Sequence, residues 1–263
     1  MVFVFYKISL KKIRRMQKII SIPISLLYYL VFGFWLVFFH PIQWVCYTVF
    51  GYNAHRWSVA LLNWFLVRST HILGTSYTIK GLESVPKNVP LIIVSNHQSL
   101  YDIPPYIWFM RNWHPKFISK KELGKGIPSV SFNLKYGGSA LIDRKDPKQA
   151  LPEIKKIAEL VNSNKYSVVI FPEGTRSKTG KPKAFAVNGL KMLYKYAPDA
   201  YFLPVTINNS WKMTRFGQFP LGLGNKIEFN IHKALKVSDY SFDEIFELTE
   251  QTIIKNIKNE TCL

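Results

Sequence analysis

Acidic side chains are missing from the first 75 residues, which hold eight Lys and Arg before the first carboxylate of the chain, Glu83. Over all 263 residues the basic excess is 19. Such a balance points to nucleic acid or anionic lipid as partner, and the apolar N-terminus favours lipid. Cysteine is nearly absent. Cys46 lies in an apolar run and Cys262 in the C-terminal tail, with no CxxC pair and no His cluster at ligand spacing. That argues for free thiols in a reducing compartment and against a structural zinc or other metal site. No G-x-S-x-G elbow occurs, so a covalent serine intermediate has no obvious nucleophile. Gly124-Lys125-Gly126 and Gly222-Leu223-Gly224 lack the remaining positions of nucleotide-binding loops and read as turns. The sequons at Asn208 and Asn259 are three-residue patterns with little weight.

Charge is absent again from Ile19 to Phe39, just after Lys7, Lys11, Lys12, Arg14, Arg15 and Lys18. As a helix these residues would span about 31 Å, close to a bilayer core of roughly 30 Å. A cleavable signal peptide fits poorly, because the run is too long and no Ala precedes Ala54 to form a cleavage site. The basic flank places the N-terminus in the cytoplasm. His40-Pro41 is expected to break the helix, and Gly51-Tyr52-Asn53 to form a turn. His55 to Leu73 reads as a second helix, whose Arg56, Asn63 and Thr70 mark a polar stripe beside Trp57, Leu61, Trp64 and Phe65, a pattern suited to an interfacial helix. The segment 1–75 thus reads as a basic N-terminus with membrane-anchoring helices. They either cross the bilayer and return, or dip into one leaflet as a hairpin.

From Ser76 short strands and helices alternate, and residues 76–263 are expected to form one α/β/α unit around a largely parallel sheet. Strands are predicted near Tyr77–Lys80, Leu91–Ser95, Lys116–Ser119, Ser139–Ile142, Ser167–Phe171, Tyr201–Thr206 and Lys226–Ile231. The clearest helices are Pro147–Asn162, Val187–Tyr196 and Phe242–Asn256. Two of the strands run straight into polar motifs. Leu91-Ile92-Ile93-Val94 leads to Ser95-Asn96-His97-Gln98-Ser99-Leu100-Tyr101-Asp102, and Val168-Val169-Ile170 leads to Phe171-Pro172-Glu173-Gly174-Thr175-Arg176-Ser177. The five-residue spacing lets Asp102 fold back on His97, fixing its tautomer and stabilising an imidazolium. Parallel strands would bring both motifs to one rim, where ligands of open α/β sheets bind.

These two segments resemble the 1-acylglycerol-3-phosphate O-acyltransferase family. Gly138-Ser139-Ala140-Leu141-Ile142-Asp143-Arg144 and Leu203-Pro204-Val205-Thr206 agree with it in the family's order, over roughly Gly81 to Asn209. The resemblance implies a membrane-anchored enzyme on the cytoplasmic face that moves a fatty acyl group from acyl-CoA or acyl-carrier protein to the hydroxyl of lysophosphatidic acid. It implies His97 as general base, Asp102 as its orienting partner, and Arg144, Glu173, Gly174, Thr175, Arg176 and Pro204 as acceptor-binding positions. No cofactor beyond the acyl donor is expected, nor a nucleic-acid partner. One departure stands out: Phe185-Ala186-Val187-Asn188-Gly189 replaces the family's Phe-Lys-x-Gly, leaving Lys183 or Lys191 to supply the missing cation. That keeps another acceptor, such as a lyso-aminolipid, in view. A non-catalytic binder of anionic membranes and a hydrolase are the readings from other classes.

Overall fold

Strand β2 (Leu91–Ser95) is buried at every position, as a continuous apolar run at the centre of a parallel sheet requires. Its side chains alternate between two cores: Ile92 and Val94 face one, Leu91 and Ile93 the other. The computed structural model describes residues 2–258, with side chains from Arg14 onward. The side chains of Lys7, Lys11 and Lys12, together with Cys262 and the sequon at Asn259, lie outside that range.

The other strands are β1 (Ser76–Lys80), β3 (Pro115–Lys120), β4 (Ala140–Ile142), β5 (Ser167–Ile170), β6 (Tyr201–Asn208), β7 (Lys226–Ile231) and β8 (Leu235–Lys236). They form one mixed sheet of order β1-β7-β6-β2-β5-β3-β4, with β8 on β6. Only β6–β7 and β6–β8 are antiparallel. The helices are α1 (Val2–Phe50), α2 (Tyr52–Ser69), α3 (Ile103–Phe109), α4 (Val130–Tyr136), α5 (Pro147–Asn164), α6 (Val187–Tyr196) and α7 (Phe242–Lys255). Helices α5, α6 and α7 cover one face of the sheet through Ile154, Ile157, Leu190, Leu193, Ile245 and Ile253. Tyr28, Val59, Tyr106 and Ile107, from α1, α2 and α3, join the core on the other. The expected three-layer α/β/α arrangement is what forms, with the N-terminal hairpin contributing to one layer.

Two local expectations are overturned. Pro41 does not end α1, which runs on to Phe50. A proline inside a helix removes a hydrogen bond and costs ~3 kcal/mol, and contacts on both sides of Pro41 oppose that loss. Trp35 stacks on Phe65 at 3.8 Å, Phe39 packs with Leu62 and Leu66, and Ser129 donates its N–H to His40 Nδ1 (3.0 Å) and its hydroxyl to the Leu36 carbonyl (2.7 Å). The turn expected at residues 51–53 narrows to Gly51, whose φ of +81° suits glycine.

Helix α2 turns part of its polar stripe toward the protein. Asn63 and Thr70 of the polar stripe point inward, where Asn63 Nδ2 donates to the Val59 carbonyl (2.8 Å) and Thr70 Oγ1 to that of Val67 (2.6 Å). Trp57 and Leu61 are the exposed ones. Along α1 the outer face is similarly apolar, with Ile19, Leu27, Leu30, Phe34, Val37 and Phe50 each about half exposed or more. Among the described residues one helix, Arg14–Phe50, is long and apolar enough to cross a membrane, with a mean hydropathy of 2.1 over an 18-residue stretch of it.

The inner face of α1 is tied to the globular part. Ser25 Oγ accepts the Leu221 N–H (2.8 Å), Tyr29 donates to the Gln218 carbonyl, and Tyr28 is fully buried against Tyr101 at 5.9 Å. Truncating Tyr28 to Ala should therefore cost about 3–5 kcal/mol, the range for a buried aromatic. Equilibrium unfolding in detergent measures it, and an unchanged midpoint would show that α1 rests on the sheet without stabilising it.

Candidate active site

Adjacent strands β5, β2 and β6 run parallel, so their carboxyl ends open on one rim. The segment leaving β2 is held there by Asn96, which bonds like a strand residue: its Nδ2 donates to the Ile207 carbonyl (2.8 Å) and its Oδ1 accepts the Ile207 N–H (2.7 Å). His97 follows. Its Nδ1 lies 2.8 Å from Asp102 Oδ2, and the side chain keeps 13% of its surface exposed while Asp102 is wholly buried. Phe171, the first residue past β5, stacks on the imidazole at 4.1 Å and 18°. With one nitrogen on the carboxylate and one face on a ring, His97 has its Nε2 edge left for the rim.

A buried carboxylate needs donors to offset its lost hydration. Asp102 Oδ2 also accepts the N–H groups of Gln98 (2.8 Å) and Ser99 (2.9 Å), and Oδ1 accepts the hydroxyls of Ser99 (3.4 Å) and Ser210. Ser99 Oγ in turn accepts the Tyr101 N–H (3.0 Å), so its hydroxyl caps the short turn that carries Asp102. Gln98 Oε1 accepts the Ser210 N–H (2.9 Å) and locks the end of β6 onto the same loop.

Glu173 is engaged by the backbone on both carboxylate oxygens. Its Oε1 accepts the N–H of His97 (2.8 Å) and its Oε2 that of Lys183 (3.0 Å). Burial pushes its carboxyl above the ordinary carboxylate range, and these two backbone N–H groups pull against the shift. The Ser177 N–H donates to the His97 carbonyl (2.8 Å), a second tie between the motifs. Gly174 turns the chain at φ +67°, which leaves Thr175 and Arg176 exposed on the rim. Arg144, beyond β4, reaches across and donates Nη1 to the Gly174 carbonyl. Pro204 is set apart: it is buried within β6 opposite Val94, and its carbonyl accepts the His232 N–H (3.0 Å). Lys183 shares the rim loop through Glu173, whereas Lys191 Nζ sits 5.7 Å over the Phe242 ring toward α7.

Ser210 carries no signal in the sequence that would single it out, and Phe171, though it opens the second motif, carries none for its stacking on His97. Both become part of the site only because β5 and β6 flank β2. The arrangement holds an imidazole in one tautomer beside a group of cations, with Nε2 able to take a proton from a bound hydroxyl.

An acyltransferase family model matches residues 76–208, just over half of the chain. The chloroplast 1-acyl-sn-glycerol-3-phosphate acyltransferase BAT2 of Brassica napus is 31% identical over 158 residues, 60% of this chain and 44% of that protein. The chain thus spans less than half the length of this relative. The 1-acyl-sn-glycerol-3-phosphate acyltransferase of Borreliella burgdorferi is 26% identical over 72% of this chain and 75% of its own. Among solved structures, the 1-acyl-sn-glycerophosphate acyltransferase PlsC of Thermotoga maritima superposes with a TM-score of 0.73 over 95% of this chain and 100% of that one, at 23% identity. The last likeness establishes the fold, and the family model establishes membership: the chain belongs to the acyltransferase family that includes the 1-acyl-sn-glycerol-3-phosphate acyltransferases.

Proposed function

We propose that this protein acylates lysophosphatidic acid to phosphatidic acid, with acyl-CoA or acyl-carrier protein as donor and no further cofactor. The observation that carries the reading is the His97–Asp102 pair, with Nε2 at the rim and Arg144 drawn onto the loop that bears Arg176. The acceptor hydroxyl gives its proton to Nε2 as its oxygen attacks the thioester carbonyl. The tetrahedral intermediate then expels the thiolate, which takes the proton back from the imidazolium. Asp102 steadies the transient cation and holds the tautomer. General-base assistance of this kind is worth about 10²- to 10⁴-fold.

Arg176 and Arg144 grip the acceptor phosphate, with Lys183 in place of the family's missing lysine. Glu173 acts through backbone N–H groups, positioning His97 and the Lys183 turn. The segment 1–75 serves as the membrane anchor and 76–263 as the catalytic unit on the cytoplasmic face. Because Ser25, Tyr29 and His40 bind the globular part, α1 lies along the protein, and its apolar outer face enters one leaflet as a hairpin with α2.

Membranes carrying the protein, assayed with lysophosphatidic acid and a labelled acyl donor, should form phosphatidic acid. A lyso-aminolipid that competes as well as lysophosphatidic acid would move the assignment to a different acceptor. His97→Ala is expected to lower kcat by about 10²-fold or more with little change in acceptor KM. Wild-type kcat in folded His97→Ala would end the mechanism. Arg176→Ala should instead raise the acceptor KM and leave the donor KM nearly unchanged, and Arg176→Lys should restore only part of the loss, since an ammonium cannot make a two-pronged contact. Equal effects on both substrates would remove Arg176 from the phosphate site.

A further inference from the structure

A second cationic pocket lies at the amino ends of the strands, opposite the rim that holds His97. Pro115 and Lys116 open β3 and pair with Ser167 and Val168, the first residues of β5, whereas His97 follows the last residue of β2. Tyr52, His55 and Arg56 of α2, Arg111 and His114 beyond α3, Lys116, and Asn133 with Gly137 near α4 line a cavity there. The cavity volume is about 30 Å³. At roughly 10–15 Å³ per water that is room for two or so, the size of one small oxyanion.

The lining holds three cations and no acid. Lys116 is 5% exposed; its ammonium donates to the Tyr52 hydroxyl and the Gly137 carbonyl (2.7 Å) and lies 4.7 and 5.3 Å from the centres of the Tyr52 and Tyr166 rings. Among the described residues no carboxylate pairs with Lys116, Arg56 or Arg111. His55 is 1% exposed and caged by Tyr47 and Phe132, with neither ring nitrogen hydrogen-bonded. Burial, reinforced by Arg56, pulls the Lys116 ammonium down to about 8; burial, reinforced by Lys116, pulls His55 down to about 4. Lys116 is the buried one of the three cations, Arg56 and Arg111 being partly exposed, and a buried cation without counter-charge is costly unless something supplies it.

We propose that this pocket is an anion site for a phosphate group, held by Arg56, Arg111 and Lys116 with His55 as a neutral partner. Two sources share the chemistry. Free phosphate is one, and a phospholipid headgroup is the other, since Val49 and Phe50 (67% and 70% exposed) and Trp57 adjoin the pocket-lining start of α2 and would receive its chains.

The test uses the full chain in detergent with Arg144→Ala, Arg176→Ala and Lys183→Ala, which silence the rim around His97, titrated with inorganic phosphate by calorimetry. Binding should persist in this background, weaken at least tenfold with Arg56→Gln added, and vanish with Lys116→Met. If Lys116→Met does not fold by circular dichroism, Arg56→Gln and the more exposed Arg111→Gln carry the comparison. The titration is then repeated in phosphatidylcholine nanodiscs with and without phosphatidic acid. Loss of the phosphate signal only with phosphatidic acid assigns the site to a headgroup, and retention assigns it to the free ion. No binding in the starting background, or binding that the pocket substitutions leave unchanged, overturns the proposal.

Discussion

Asp102 is a carboxylate with no solvent, and its need for hydrogen bonds organises the rim. Removing one partner of such a buried charge typically costs about 3–5 kcal/mol. The chain supplies His97 Nδ1, two backbone N–H groups and two hydroxyls. Satisfying it dictates the tight turn after β2, the capping position of Ser99 and the docking of β6 through Ser210. The imidazole is oriented as a by-product of solving that burial problem, and Glu173 solves a similar one beside it with the N–H groups of His97 and Lys183.

The same turn connects the site to the hairpin. Tyr101 sits inside it, and Tyr28 and Phe32 of α1 pack against the Tyr101 ring at 5.9 and 6.3 Å. On the proposed reading, the face of α1 opposite these contacts enters the leaflet, so one helix touches lipid on one side and the His97–Asp102 turn on the other. That geometry offers a short path between a membrane-borne acceptor and the proton-accepting nitrogen. It also explains why α1 continues through Pro41: the aromatic contacts with α2 and the bonds from Ser129 outweigh a local proline penalty.

Much of this was legible because it is local in sequence. Every predicted strand exists, since Leu91–Ser95 and Ser167–Ile170 are apolar runs that end at polar motifs, and His97 and Asp102 lie five residues apart. What was illegible depends on distance or on direction. Ser210 is 108 residues from Asp102, and a serine after a strand is unremarkable until β6 lies beside β2. Periodicity revealed the polar stripe of α2, but not that Asn63 and Thr70 turn inward and satisfy their own backbone. Helices α3 and α4 have seven residues each, too few to show a 3.6-residue period, and β8 has two. Pro204 belongs to a recognisable block yet pairs with Val94 inside the sheet, where it shapes β6.

On the proposed mechanism, Asp102 fixes His97 as the tautomer with the proton on Nδ1 and the lone pair on Nε2. Nitrogen-15 NMR of the histidine side chains in detergent tests it directly, with His97→Gln identifying the resonance. The spectrum should show Nε2 of His97 as an unprotonated nitrogen with the proton on Nδ1, and a switch away from this form in Asp102→Asn. A His97 protonated on Nε2 in the wild-type protein, or one whose tautomer ignores Asp102→Asn, would contradict it.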